Sequence, residues 1–540
     1  VSDGAQFTVL GHVRVDELLE GVNFVLGGDV IVFRAGDGAL RATRNRCRHQ
    51  LGRFGRDDGC VLTCAQHGWR LDVSTMRYVN PEGGLAQREL SLVPSADGLV
   101  EIREAQALTP WNPPQQRASL AHGELTLRFL AHACAEIQAA GTRLVTDPWL
   151  VGPAFTRGWW LAHRPPDDWL TTLTAADAIY VSHNHSDHLN APTLLRLLPL
   201  RPDAPFVVPA FPSGSTERSL RALGFTNVRA APFGQWMHLS DDARFMILQD
   251  VAGRDDSALL FEYKGHRILN TVDCSNPNGS MLPAPIDMLL TSFASGASGY
   301  PVCWSELYSR ADIEKQLYKK RSLWAQAVLD LAKLTHARTV MPFAGYFVEA
   351  HPADADTRAL NVKNDPREIA AMIARRAPGL STWVPEAGDT FDFAEHALSV
   401  RGEPREPSYD FDEYTQPIAD AMDFAALRHL DGVRHYFEWA RFRGDLVLHV
   451  IETDELFQQV EREFFVDFRG GEVSTEQPSP AARYLRMRVR ADVFRHVLRW
   501  GLPWEEISIG FQARFYREPD VYNFDFWNHF QNELPSTLPF

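Results

Sequence analysis

Two cysteines and two histidines near the N-terminus constrain this chain more than any other feature. Cys47-Arg48-His49 is followed, after 14 residues, by Cys64-Ala65-Gln66-His67. Two thiolates and two imidazoles can converge only if two tight loops carry them on a rigid frame. The runs 24–34 and 39–44, β-rich and separated by Gly and Asp turns, read as strands of such a frame. The set Cys47, Cys64, His49 and His67 suits a [2Fe–2S] centre, with the cysteines on one iron and the histidines on the other. A Cys2His2 zinc site uses the same ligand types. Three details favour the cluster: the C-x-H spacing is too short for ordinary zinc-finger loops, Gly68-Trp69 follows the last histidine, and both halves lie in β-rich sequence.

The pattern resembles the Rieske domain. Respiratory Rieske proteins carry an additional cysteine after each half-motif, joined as a disulfide. In this chain Arg53 and residues 68–71 occupy those neighbourhoods, and Cys60 reads as a small buried hydrophobe. The resemblance is therefore to the lower-potential, oxygenase type.

A second ligand run follows residues 177–182, which read as a strand. It is His183-Asn184-His185-Ser186-Asp187-His188. A loop leaving a strand in this order can put His183 and His185 on one metal and Asp187 and His188 on a second about 3.5–4 Å away. A solvated polar loop would show neither the ligand order nor the preceding strand. The run resembles the metallo-β-lactamase signature, which implies further ligands at the ends of later strands. Asp273, closing 268–273 (ILNTVD), fits the bridging aspartate. His351 fits the final histidine, and Asp250 stands where a middle histidine is usual. An additional carboxylate hardens the site and favours iron or manganese. Asp147 and His132 are expected beside the pocket as supporting groups rather than ligands.

The 540 residues allow about three domains. We expect an all-β Rieske domain over 1–108 and a Pro-rich linker at 109–114. An αββα metallo-β-lactamase-type sandwich over 120–390 and a small α+β region over 404–540 complete the chain. Strand-like runs alternate with helical patterns at 191–198, 216–223 and 311–333 in the middle part. Near the end, 492–500 reads as a helix and 504–516 as a strand pair. A formal charge of −15 argues against non-specific nucleic-acid binding. No run approaches the ~20 apolar residues that span a bilayer, and no signal peptide is visible. Six cysteines do not make a disulfide framework, so a reducing, cytoplasmic setting is expected.

A Rieske cluster moves single electrons, and a zinc hydrolase has no use for them. The pairing makes sense if the second site holds redox-active metal, one or two irons, with O2 as oxidant. The chain resembles the cytidine monophosphate-N-acetylneuraminate hydroxylase family over nearly its whole length. The segments that carry this include 147–160 (DPWLVGPAFTRGWW), 263–274 (YKGHRILNTVDC), 343–352 (FAGYFVEAHP), 363–366 (KNDP), 451–454 (IETD) and 527–531 (WNHFQ). The resemblance implies hydroxylation of an N-acetyl methyl to N-glycolyl on a CMP-sialic acid or related N-acyl sugar nucleotide. Electrons would come from NAD(P)H through a reductase and a carrier of cytochrome b5 or ferredoxin type. Neither a membrane nor a nucleic acid is an expected partner, and an oligomer is compatible with the sequence. Substrate contacts are expected from Arg157, Trp159, Trp160, Ser298, Lys363 and Asn364. Gly296 and Gly299 flank Ser298 in a loop suited to approach a phosphate, and Lys319, Lys320 and Arg321 form a cationic run on a helix. Two other readings compete. One is a metal-dependent phosphodiesterase or lactonase with an accessory Rieske domain. The other is an O2-scavenging protein of flavodiiron kind, disfavoured because His185 replaces the glutamate of that motif.

Overall fold

In the computed structural model, residues 7–47, 52–64, 69–80, 86–95, 97–105, 115–251, 255–402 and 410–531 are described. The linker expected at 109–114, His49 and His67 lie outside them. Short strand-forming runs broken by glycine turns give the N-terminal part three antiparallel sheets. Phe7–Arg14 pairs with Leu99–Ala105, which pairs with Ser91–Pro94. Gly21–Val25, Val30–Arg34 and Leu40–Arg44 form a second sheet. Phe54–Asp58, Val61–Cys64, Arg70–Asp72 and Arg77–Asn80 form the third. The third sheet carries Cys64 at the end of a strand, and Cys47 lies three residues beyond Leu40–Arg44. Both cysteines sit in a small core with Phe54, Leu62, Trp69, Leu71 and Tyr78.

The middle part is two mixed sheets, as the alternation of strand and helix patterns predicts. One has eight strands in the order Val228–Ala231, Phe206–Pro209, Ala178–Tyr180, Thr142–Thr146, Cys134–Ala139, Leu125–Ala131, Thr390–Asp392, Ala397–Val400. The other has seven: Trp236–His238, Ala243–Gln249, Ser257–Tyr263, His266–Asn270, Met288–Ser292, Thr339–Phe343, Ser381–Thr382. The strands that precede the site, Ala178–Tyr180 and His266–Asn270, belong to the parallel stretches of their sheets. Ligands in such sheets gather beyond the carboxyl ends of the strands. Buried residues on both faces, for example all five of Thr339–Phe343, show that these strands are covered on both sides. Helices Ala191–Leu197, Ser215–Leu223 and Arg310–Leu334 fall within a residue or so of the expected positions, and a further helix, Pro366–Arg376, was not foreseen.

The C-terminal part is a five-stranded sheet in the order Glu472–Ser474, Val460–Asp467, Leu446–Thr453, Arg483–Arg490, Ala513–Glu518. Helices Leu430–Ala440, Ala491–Trp500 and Phe524–Gln531 accompany it. The segment 504–516, expected as a strand pair, instead begins with a helical turn, Glu505–Ser508, before strand Ala513–Glu518. Pro503 and two glutamates at the start of that turn favour a helix N-terminus, where carboxylates meet the positive end of the helix dipole. Among the described residues no helix is long and apolar enough to cross a membrane.

One continuous apolar core runs from Leu125 to Phe530, so the C-terminal sheet and the sandwich are packed as a unit. A buried ion pair fastens them. Arg490, fully buried, donates to both carboxylate oxygens of Asp354 at 3.0 and 2.7 Å, to Gln512 and to the Glu455 carbonyl. Removing one member of such a pair leaves a buried charge without compensation. Arg490→Ala and Asp354→Ala are each expected to lower unfolding free energy by about 3–5 kcal/mol in urea titrations. The double variant should lose less than the sum.

Candidate metal centre and its cavity

The loop from His183 to Asn190 owes its shape to contacts at both ends. Ser257 Oγ donates to the Ser182 carbonyl at 2.8 Å and accepts from the Tyr180 hydroxyl at 2.7 Å, joining the two sheets beneath the loop. At the far end Asn190 caps helix Ala191–Leu197 by accepting from Thr193 N, while its amide donates to the Ser186 carbonyl at 2.9 Å. Pro192 at the start of this helix suits the cap.

Each histidine of the 183–188 loop has one ring nitrogen engaged from outside and the other turned toward its neighbours. His183 Nδ1 contacts Ser182 Oγ at 2.9 Å and Asp256 at 3.5 Å, while its Nε2 lies 2.7 Å from His185 Nδ1. His188 Nδ1 faces Asp147 at 3.3 Å, and its Nε2 stands 3.4 Å from both Asp187 and Asp273. His132 Nε2 lies 3.2 Å from Asp187. Two groups of three therefore offer converging ligand atoms within 4.8 Å of one another: His132, Asp187, His188 and His183, His188, Asp273. His132, which the sequence suggested as a supporting residue, stands among the ligand atoms. It follows strand Leu125–Ala131 in a left-handed turn, φ 40°.

The donors fit a metal. His188 Nε2 and Asp187 Oδ1 are buried and make no hydrogen bond. Buried polar atoms are normally satisfied, so such exceptions ask for a ligand. Burial works against a charged His188, but the Asp187 and Asp147 carboxylates outweigh it and hold its pKa well above the usual imidazole range. Burial likewise opposes ionisation of Asp187, yet His188 and His132 drive its pKa well below the carboxylate range. A site this rich in carboxylates calls for positive charge.

Asp250 and His351 lie outside both groups. Asp250 accepts weakly from Ser275 at 3.4 Å, and its backbone N donates to the Asp256 carbonyl. Asp256 is the carboxylate that reaches His183. His351 packs edge-on against Phe411 with ring centres 4.7 Å apart, and its Nδ1 accepts from Ala353 N. Burial pushes its pKa down to about 4.

Two glutamates absent from the sequence-derived set come from the turn Glu505–Ser508. Glu505 accepts from His185 Nε2 at 2.5 Å. Glu506, buried, receives a hydrogen bond from Thr156 Oγ1 at 3.3 Å, and burial lifts its pKa to about 7 against Ser186 and His185. A carboxylate on the outer nitrogen of a metal-binding histidine fixes its tautomer and ring orientation. Glu505→Ala is expected to weaken metal binding about 10- to 100-fold in chelator competition, with the fold retained.

A cavity of about 180 Å³ opens beside this centre, reached by His185, Asp187, Asp273 and Glu505. Trp159 and Ser298 stand in its wall. The Trp159 ring stacks on Phe347 at 3.5 Å, and its Nε1 donates to the Ile509 carbonyl at 2.9 Å. The other expected substrate contacts are engaged elsewhere. Arg157 pairs with Asp492 and Glu455. Trp160 lies against Tyr414. Lys363 pairs with buried Glu349 at 2.6 Å, and Asn364 donates to the carbonyls of Phe293 and Arg321.

In the N-terminal part Cys47 and Cys64 are buried, and their amides donate at 2.7 Å to the carbonyls of Gly52 and Trp69. The Tyr78 hydroxyl lies 3.6 Å from Cys47 Sγ and 2.8 Å from Gln87. These burial and hydrogen-bond features suit a cluster whose potential is set by contacts to sulfur. Tyr78→Phe is expected to make the cluster potential more negative by on the order of 50 mV, read by protein-film voltammetry.

Comparison with known proteins agrees with both halves. The Rieske [2Fe-2S] domain family matches residues 11–84, and the beta-lactamase superfamily domain matches 126–250. These matches define a protein that joins an iron–sulfur domain to a metallo-β-lactamase-type sandwich. The "Cytidine monophosphate-N-acetylneuraminic acid hydroxylase" of Mus musculus is 40% identical over 98% of this chain and 96% of its own length. The protein of the same name from Danio rerio is 39% identical over 97% and 93%. The chain belongs to the cytidine monophosphate-N-acetylneuraminic acid hydroxylase family. Among solved structures, CmlA, a diiron beta-hydroxylase from Streptomyces venezuelae, aligns over 50% of this chain and 54% of its own. That match has 17% identity and a TM-score of 0.34. An isothiocyanate hydrolase from Delia radicum gut bacteria aligns over 50% and 98%, with 14% identity and a TM-score of 0.33.

Proposed function

We propose that this chain hydroxylates the N-acetyl methyl of CMP-N-acetylneuraminate, using O2 and electrons delivered through the Rieske cluster to iron at the His183–His188 centre. Full-length membership in the hydroxylase family supports the reaction. The observation that carries the coupling is the placement of one helix, Phe524–Gln531. Phe524 packs edge-on against Trp69 with ring centres 5.6 Å apart, inside the core that holds Cys47 and Cys64. Trp527, one turn on, stands in the cavity wall with Asp273 and His185. The cluster domain and the metal cavity thus share a helix, which a hydrolase with an accessory domain does not need.

Iron, when bound, supplies the oxidising power that a strong methyl C–H bond demands. The protein's own residues supply the rest. His183, His185, Asp187, His188, Asp273 and His132 offer the ligand atoms, and Glu505, Asp147 and Asp256 hold the imidazoles in place. The stacked Trp159 and Phe347 give the cavity a rigid apolar side that excludes water beside the centre. The expectation that Asp250 and His351 are metal ligands is kept only as a proposal, since neither stands in the two groups of three. Arg157, Trp160, Lys363 and Asn364, expected as substrate contacts, are engaged by other residues and stand outside the cavity lining. Electrons are proposed to come from NAD(P)H through a reductase and a cytochrome b5- or ferredoxin-type carrier. We place the reaction in a reducing cytoplasm, in keeping with six cysteines that form no disulfide.

The test is aerobic turnover of CMP-N-acetylneuraminate with NADH, reductase and carrier, followed by mass spectrometry. A product with one additional oxygen on the acyl group is expected, and none from Cys64→Ala or His185→Ala proteins. Cleavage of a phosphodiester without O2 or reductant would instead establish the hydrolase reading.

A further inference from the structure

Lys320 projects from helix Arg310–Leu334 into the wall of the same cavity and is 6% exposed. Its ammonium donates to Ser298 Oγ at 3.1 Å and to the Tyr300 carbonyl at 2.8 Å, and lies 5.5 Å from the centre of the Tyr300 ring. All three partners are neutral. Among the described residues no carboxylate forms an ion pair with it, and burial alone pushes its pKa down to about 8. A buried charge without a counter-charge is costly, so it persists where a ligand completes it.

Other features of this wall are accounted for by packing. A Cβ on Gly299 would stand 2.0 Å from the Ser508 carbonyl oxygen, and one on Gly296 would stand 2.8 Å from Asn361 Oδ1. The glycines are therefore required by the fold and say nothing about an anion. Arg517, the cavity's other cation, lies over Trp304 at 4.5 Å and pairs with Asp520 at 2.8 Å, so its charge is already balanced. Lys320 is left as the cavity's uncompensated positive charge, beside the Tyr300 ring and in a wall that also holds Trp324.

We propose that Lys320 anchors an anion subsite that takes the phosphate of a cytidine nucleotide, with Ser298 Oγ sharing the contact and the adjacent aromatic rings receiving the pyrimidine. The subsite itself stands on the uncompensated lysine. Its assignment to a nucleotide phosphate rests on the hydroxylase reading, because the sugar carboxylate of the same substrate is also an anion.

Anaerobic calorimetry on the full chain, with cluster and metal in place, tests this with CMP, cytidine and free N-acetylneuraminate. Lys320→Met should weaken CMP binding about 10- to 100-fold, the loss of one charge-assisted hydrogen bond. Cytidine binding should stay the same. Lys320→Gln, which keeps donors for Ser298 and Tyr300 but not the charge, should show the same loss. Lys320→Met should also raise the thermal midpoint, because it removes a buried charge. Affinities for CMP and for free N-acetylneuraminate both within twofold of the parent in a folded variant overturn the subsite. A loss confined to free N-acetylneuraminate overturns the assignment to phosphate. Failure of the hydroxylase reading is separate: the parent enzyme would form no oxygenated product, whatever CMP binding shows.

Discussion

The centre depends on the close seating of residues 505–511 against the 183–188 ligand loop and the cavity loops beside it. Added Cβ atoms at Gly158 and Gly299 would meet the carbonyl oxygens of Gly510 and Ser508 at 2.2 and 2.0 Å. Backbones can approach this closely only where side chains are absent. The approach puts the Ile509 carbonyl on Trp159 Nε1 and Glu505 on His185. The C-terminal sheet is therefore part of the site rather than an appended module. The buried Arg490–Asp354 pair and the shared core keep it in that position.

From that seating follows the charge arrangement of the cavity. Carboxylates of Asp147, Asp256 and Glu505 hold three imidazoles from outside, and Asp187 and Asp273 face inward. This end of the cavity calls for cations. Lys320, with only neutral partners, calls for an anion. A substrate with a phosphate at one end and a reacting acyl group near the metal matches such a polarity. Helix Phe524–Gln531 adds the connection, touching the cluster core through Phe524 and the cavity through Trp527.

How much of this the sequence disclosed depended on whether the relevant pattern was local. The order His183, His185, Asp187, His188 after a strand is a local pattern, and the strand ends set its geometry. Asp273 was legible for the same reason. Glu505 and Asp256 were not, because their only link to the ligand loop is tertiary: Glu505 lies 320 residues from His185. The turn that carries Glu505 was also concealed by the β-like aromatic content of 504–516, although Pro503 and the paired glutamates signalled a helix start. Arg157 and Lys363 read as substrate-facing cations because their partners, Asp492 and Glu349, stand outside any local spacing. Lys320 was part of a cationic run, and only its burial separates it from its neighbours.

The claim that the C-terminal part joins the cluster to the metal cavity within one chain is tested most directly by rapid mixing. Chemically reduced enzyme with bound substrate would be mixed with O2 and cluster oxidation followed by its visible absorbance. The account predicts substrate-dependent oxidation at a rate independent of protein concentration and strongly slowed in Trp527→Ala protein. A rate proportional to protein concentration, or one untouched by that substitution, would contradict it.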